Sequence, residues 1–350
     1  MTVRIGFIGT GGIAVAHLHR LLQVEKAEVV ALCDLAPGRS EQAEKDVNAV
    51  VRERDPRART LAAAHYTDYT EMLRREKLDA VFVCLPPFAH GEPERAVIEA
   101  GAHLFVEKPV ALDLGTAMDI LRRLDEQNLL SAVGYQLRYL RSMDRAKELL
   151  AGTTVGMAVV MRFGGTPGVP WYRIQSKSGG QLVEMATHHV DQLRYLLGEV
   201  RTVYAAAATR IHHLRQPDYD VFDVNCMTLT FASGVVANFA NNMISSHGVP
   251  QSARGVHIFC DGMTLSHQLG GPLQVLTKDG LEEVPDGVDP MLEQDRAFVQ
   301  AVAEGRRELI RADYREGIRT LAVTLAGDLS ARTGQPVEVE GLLRQAGWEG

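Results

Sequence analysis

Apolar positions in the first 134 residues come in short unbroken runs at Val3–Ile8, Val29–Cys33, Ala80–Leu85, Leu104–Val106 and Ala132–Val133. Amphipathic stretches separate them, near Ile13–Gln23, Ser40–Arg54, Tyr69–Arg75, Gly91–Ala100 and Asp113–Gln127. Unbroken runs are strands buried on both faces, and their alternation with helices predicts a parallel sheet covered on both sides. After Tyr135 the rhythm changes. A helix near Ser142–Leu150, a strand at Val155–Phe163, a Gly/Pro-rich loop at Gly164–Pro170 and a long helix at Gln181–Leu197 come first. Strand-like runs follow at Val203–Ile211, Asn225–Phe231, Val235–Asn241, Val256–Cys260 and Leu273–Thr277, with Ser233-Gly234 as a hairpin turn. Helices near Leu292–Glu304 and Arg315–Thr333 close the chain. Strands joined by short turns predict a large, mainly antiparallel sheet in an α+β domain. At 350 residues two domains are expected, at 1–134 and 135–350. Arg52–Ala64, charged and then Ala-rich, fits no element clearly.

Composition narrows the partners. A formal net charge of −7 argues against nucleic acid, whose phosphates reward basic patches. No apolar run approaches the roughly 18 residues of a membrane span. The apolar N-terminal run is interrupted by Gly6, Gly9, Gly11 and Gly12, unlike a signal peptide. The four cysteines, Cys33, Cys84, Cys226 and Cys260, form no close pair, and Cys33 and Cys84 lie in strand-like runs. Buried thiols in a reducing cytoplasm are expected, without disulfides or zinc.

Gly9-Thr10-Gly11-Gly12-Ile13-Ala14 follows the first strand and opens a helix, fitting the G-x-G-x-x-A fingerprint of a Rossmann dinucleotide site. Gly9 permits the tight turn, Gly11 lets backbone approach the pyrophosphate with Gly12 beside it in the cofactor turn, and Ala14 lets the helix sit close to the sheet. The helix N-terminus, beginning at Ile13, offers free amides to the phosphates. Asp34 ends the second strand, where a carboxylate receives the adenosine ribose hydroxyls and favours NAD over NADP. Arg39 stands close enough to meet a 2′-phosphate, so NADP stays open as the second choice.

Cys84-Leu85-Pro86-Pro87-Phe88-Ala89-His90 ends one strand and Glu107-Lys108-Pro109 ends the next, at the edge where parallel sheets deliver loops to a ligand. With the glycine turn and Asp34, these segments resemble the Gfo/Idh/MocA oxidoreductases over nearly the whole chain. Glu-Lys-Pro is the most specific mark. The resemblance implies that Leu85, Pro86, His90 and Glu107 border the cofactor. It also puts Lys108 against both the substrate hydroxyl and the nicotinamide, with a cis peptide often found at this point. A cation beside the reacting oxygen stabilises alkoxide character as hydride leaves.

The second half carries Gly179-Gly180, then Glu184, His188 and Asp191 at the family's spacing of acid, histidine and aspartate. Drawn as one helix at about 100° per residue, Glu184, His188, Asp191 and Tyr195 share an arc of roughly 60°, with leucines opposite. By resemblance His188 moves the hydroxyl proton, and Asp191 or Glu184 orients it; Glu184 stands where aspartate is usual, and Ala186 where glycine is. His189 faces the apolar side and reads as structural. Arg138 is a candidate for substrate contact or an interdomain salt bridge. Trp171 and Tyr172 either wall a sugar pocket or form a core pair.

The expected function is hydride exchange between NAD and a secondary alcohol of a sugar, inositol or related polyol. A glycosidase working by transient oxidation and a non-catalytic NAD-binding sensor are the alternatives. A metal site on His188, His189 and Asp191 is disfavoured, since adjacent helical residues point about 100° apart. Apolar positions on Val203–Ile211 and Met227–Asn241 need cover, which a second subunit in a homodimer or homotetramer would give.

Overall fold

Six strands make the first sheet: β1 (Val3–Ile8), β2 (Ala27–Cys33), β3 (Ala64–Tyr66), β4 (Ala80–Val83), β5 (His103–Val106) and β6 (Ser131–Val133). Helices α1 (Gly12–Leu21), α2 (Arg39–Arg54), α3 (Tyr69–Arg75), α4 (Glu92–Glu99) and α5 (Leu114–Glu126) alternate with them. The structure is a computed structural model and describes residues 1–348 other than 217, 251 and 252. Every pairing in this sheet is parallel, in the order β3-β2-β1-β4-β5-β6. The strand order therefore reverses between β1 and β4, and a crevice opens beyond their carboxyl ends at such a point. The unbroken apolar runs are buried as their pattern predicts, with Phe7, Phe82 and Phe105 fully buried and stacked across β1, β4 and β5.

The chain divides into two compact units: Met1–Ala111, Gly115–Gln136 and Asp289–Gly317 in one, and Leu112–Leu114, Leu137–Val288 and Ile318–Gly350 in the other. The expected boundary was a single cut after residue 134. The returning segment contains α9 (Pro290–Glu304), which packs on α1 and sets Phe298 edge-on to Phe82 and Phe105, each 5.6 Å away. A C-terminal amphipathic helix does not announce which sheet it will cover.

The second unit contains α6 (Arg141–Ala151), β7 (Val155–Phe163), α7 (Gln175–Ser178), α8 (Thr187–Leu197), β8 (Val200–Ala208), β9 (Val224–Phe231), β10 (Val236–Asn242) and β11 (Gly255–Cys260). It continues through β12 (Met263–His267), β13 (Leu273–Thr277) and β14 (Gly280–Val284). After α10 (Tyr314–Thr333) come β15 (Val337–Glu338) and α11 (Val339–Gln345). Nine strands lie in the order β14-β13-β12-β11-β7-β10-β9-β8-β15, with β7 and β10 parallel and the other neighbours antiparallel. Inward positions such as Val203, Met227, Leu229 and Phe239 are buried, while their outward neighbours stay exposed.

One expected element is broken. The helix drawn over Gln181–Leu197 starts as a π turn at Gln181–Met185, closed by the Ala186 amide on the Gln181 carbonyl at 3.0 Å, and only then becomes α8. Gly179 and Gly180 precede it with φ of 70° and 74°, which residues with a Cβ rarely adopt.

Candidate cofactor and catalytic site

The glycine turn has the geometry its fingerprint requires. Gly9 has φ 87°, and a Cβ there would lie 2.5 Å from the Cys84 carbonyl oxygen, so side chains are excluded. Leu85 packs on the same spot. Above Gly12 a Cβ would meet nothing within 4 Å, and above Gly11 only the Arg39 guanidinium at 3.9 Å. That open space caps the first turn of α1, which carries no acidic residue, with Ile13 partly exposed and Ala14 fully buried. Free amides, a positive dipole end and room for oxygens fit a pyrophosphate.

Asp34 braces this turn. Its Oδ2 accepts from the Thr10 amide at 3.0 Å and the Thr10 hydroxyl at 2.9 Å, and its Oδ1 accepts from the Ala36 amide. The carboxylate is still 16% exposed, enough to receive ribose hydroxyls, and Arg39 Nε stands 3.6 Å from Oδ2. Carboxylate and guanidinium thus stand together beside the glycine turn. Pro86 leads into a short 3₁₀ turn at Pro87–Ala89. His90 is less available than expected: its side chain is buried, and Nδ1 is bound to Glu94 Oε1 at 2.5 Å.

Glu107-Lys108-Pro109 leaves the carboxyl end of β5, and the Lys108–Pro109 peptide is cis. Glu107 is buried at 6% exposure, and its Oε1 meets His17 Nε2 at 3.1 Å. Gly134 makes the room, since a Cβ there would fall 2.4 Å from that carboxylate. His17, on α1, binds Asp295 of α9 through Nδ1 at 2.8 Å. Burial alone would lower the His17 pKa, but the Asp295 and Glu107 carboxylates outweigh it and raise the imidazole to about 10. Lys108 therefore follows a carboxylate fixed by a buried imidazolium.

In the second unit Glu184 lies in the π turn and His188 in the first turn of α8, both half-buried. Asp191 is not an exposed member of a polar stripe. It is 1% exposed, and Arg138 Nε and Nη2 donate to its two oxygens at 2.9 and 2.7 Å, with the Thr320 hydroxyl adding a bond at 3.0 Å. Arg138 is accordingly spent inside this unit rather than held out to a substrate, and Tyr195 carries the Arg138 and Lys147 cations over its ring. The single-helix arc fails because the π turn shifts Glu184 out of register with α8. With Asp191 committed to Arg138, the His188, His189 and Asp191 metal set loses its carboxylate.

Tyr172 is fully buried among Tyr219, Val221 and Met243, with Trp171 half-buried at their edge. His189 rests against Phe239, and burial, with help from Arg162 and His267, pushes its pKa down to about 4. The sequence reading missed His17, Asp295 and Arg162. Only Arg162 left a signal, as a charge closing an otherwise apolar strand; it sits beside Tyr172 and Glu184, with its pKa lowered chiefly by burial.

Residues 3–135 match the oxidoreductase family with an NAD-binding Rossmann fold, and residues 143–265 match the Gfo/Idh/MocA C-terminal domain. The scyllo-inositol 2-dehydrogenase (NAD(+)) of Bacillus subtilis is 25% identical over 97% of this chain and 96% of its own. The myo-inositol 2-dehydrogenase of Thermotoga maritima is 26% identical over 71% of each. A solved oxidoreductase from Thermotoga maritima shares the fold at a TM-score of 0.82 and 21% identity, covering 98% of this chain and 100% of that one. The glycine turn, the Glu-Lys-Pro turn and both matched regions therefore make this chain a member of the Gfo/Idh/MocA family of NAD-binding oxidoreductases.

Proposed function

We propose that this dehydrogenase oxidises a secondary alcohol on a sugar, inositol or related polyol, with NAD as the preferred cofactor. The observation that carries the reading is Lys108 at the carboxyl end of β5, on the sheet edge that also bears the glycine turn. The inositol dehydrogenases among the relatives support the substrate class. Gly9, Gly11, Gly12 and Ala14 would hold the pyrophosphate, and Asp34 the adenosine ribose. Bound there, NAD⁺ would supply the hydride acceptor, C4 of its nicotinamide. Lys108 stabilises the negative charge that grows on the carbinol oxygen, and Glu107, pinned by His17, fixes the start of that turn. His188 takes the hydroxyl proton, with Glu184 supporting the imidazole or the substrate. We assign Asp191 and Arg138 a supporting rather than a chemical role. The chain acts as a homodimer or homotetramer in the cytoplasm.

The test is a screen of polyols and sugars with NAD⁺ and NADP⁺ in parallel, read by absorbance of the reduced cofactor, with Lys108→Ala as control. Losing a group that acts on the reacting oxygen costs about 100-fold or more in turnover, while NAD affinity should change only slightly. Near-wild-type turnover by Lys108→Ala would remove that residue from the chemistry.

A further inference from the structure

The inner face of the second unit's sheet ends in a pair of positive charges that, among the described residues, form no ion pair with a carboxylate. Strands β7 and β11 run antiparallel with Met161 opposite Gly255, so the next residue outward on each strand brings Arg162 and Arg254 side by side. Like charges across a strand pair repel. The two guanidiniums do act on each other, Arg254 helping burial to depress Arg162. Arg162 Nη1 finds only the Asn241 side-chain oxygen at 3.4 Å and the Met243 sulfur at 2.7 Å, and among the described residues it makes no ion pair. The Arg254 Nε is buried without a hydrogen-bond partner. Around them the hydroxyl of fully buried Tyr172, the Asn241 side-chain amide nitrogen and the His189 Nδ1 are also unsatisfied. The carboxylate whose field reaches Arg162 is Glu184, one charge against two.

Both arginines are half-buried, and the more a charge is drawn out of water the more its desolvation must be offset by an anion. Two half-buried guanidiniums and a buried hydroxyl, set against the one carboxylate of Glu184, are complementary to the oxygens of a carboxylate or phosphate. Arg162 also acts on Glu184 and on His189, the residue next to His188, which brings this donor near the residue assigned to proton transfer. We infer that Arg162 and Arg254 form a receptor for an oxyanion carried by the substrate, and that the polyol oxidised here is therefore an acid. This rests on the dehydrogenase reading above and names its substrate class: a sugar or cyclitol bearing a carboxylate or a phosphate ester. The oxyanion stays intact. The hydride and the hydroxyl proton leave from the carbinol, and the receptor only binds.

The experiment uses the full chain with NAD⁺ and three groups of probes. D-gluconate and D-glucuronate carry carboxylates, D-glucose 6-phosphate carries a phosphate, and myo-inositol, D-glucose and sorbitol are neutral. An acid should exceed the neutral probes in kcat/KM by about 100-fold or more, and the better of the two anion groups identifies the oxyanion. Arg162→Met and Arg254→Met should each reduce the acid-to-neutral ratio by about 30-fold, mainly through KM, with Arg162→Lys recovering part of it. Without substrate, Arg162→Met should melt no lower than wild type, because it relieves the repulsion. Calorimetric titration of D-glucuronate and D-glucose 6-phosphate into the NADH-bound protein reads the receptor independently of turnover. If no probe of any group reduces NAD⁺ but an anion binds and Arg162→Met weakens it, the receptor stands and the polyol dehydrogenase reading falls. If neutral polyols are oxidised as well as acids, or neither variant changes the ratio, the receptor is wrong and the dehydrogenase reading survives. If no anion binds or is oxidised, the receptor is also wrong.

Discussion

His17 shows how one side chain ties α1 to the turn after β5. It is fully buried between Asp295 and Glu107, and those carboxylates hold it protonated up to a pKa of about 10. Burial raises the Asp295 carboxyl in turn, with the His17 charge opposing. Replacing His17 by Gln leaves two buried acids without their cation, which costs about 3–5 kcal/mol; urea unfolding at pH 7 would measure it. The sign of the pH dependence follows from linkage. A histidine raised from 6.5 to about 10 gives its full stabilisation below pH 6.5 and loses it as pH climbs through 10. Wild-type stability should therefore fall between pH 7 and 10 more steeply than that of His17→Gln; parallel profiles would show that His17 is not charged in the fold. The glycine turn and the Glu107-Lys108-Pro109 turn were legible in the sequence because each is written in a few consecutive residues. His17 was not, because its partners lie 90 and 278 residues away.

At the scale of elements, the segment from Gly179 to Leu197 shows what helical periodicity can and cannot say. The pattern correctly set Leu182, Val190 and Leu193 on the buried side. It could not reveal the π turn, which inserts one residue per turn without changing the composition. It also mistook a buried acid for an exposed one, because Arg138 and Thr320 reach Asp191 from remote parts of the chain. Strands β3, β12, β14 and β15 were missed; β14 is exposed along nearly its whole length and β3 and β15 have three and two residues, so none of those three carries a two-residue apolar alternation. The Arg138–Asp191 pair gives a clear prediction. Asp191→Asn strands a buried guanidinium and should destabilise the fold by about 3 kcal/mol or more, whereas Arg138→Met with Asp191→Leu should recover most of that loss. Guanidinium unfolding of the single and double variants decides it. A stable Asp191→Asn protein with abolished turnover would instead return Asp191 to the chemistry.

For the whole molecule the outward face of the nine-stranded sheet matters most. The strand registers align Leu281, Leu276, Thr264, Phe259, Met157 and Val236 as successive cross-strand neighbours from β14 to β10. Five of these are large apolar side chains, exposed by between 41% for Phe259 and 58% for Leu281. Scattered exposed apolar residues are ordinary, but a row crossing six strands is a contiguous patch, and such patches mark association surfaces. A flat sheet face pairs readily with a copy of itself about a two-fold axis, each row meeting its equivalent. A stable interface of this kind buries about 800 Å² per partner. Sedimentation velocity at micromolar concentration should thus give a dimer or tetramer. Charges at the centre of the row, Met157→Lys with Phe259→Lys, face solvent in a single chain, so they should leave its fold intact while driving the assembly to monomer. If the wild type sediments as a monomer, or the doubly charged variant keeps its assembly state, this face is not the contact.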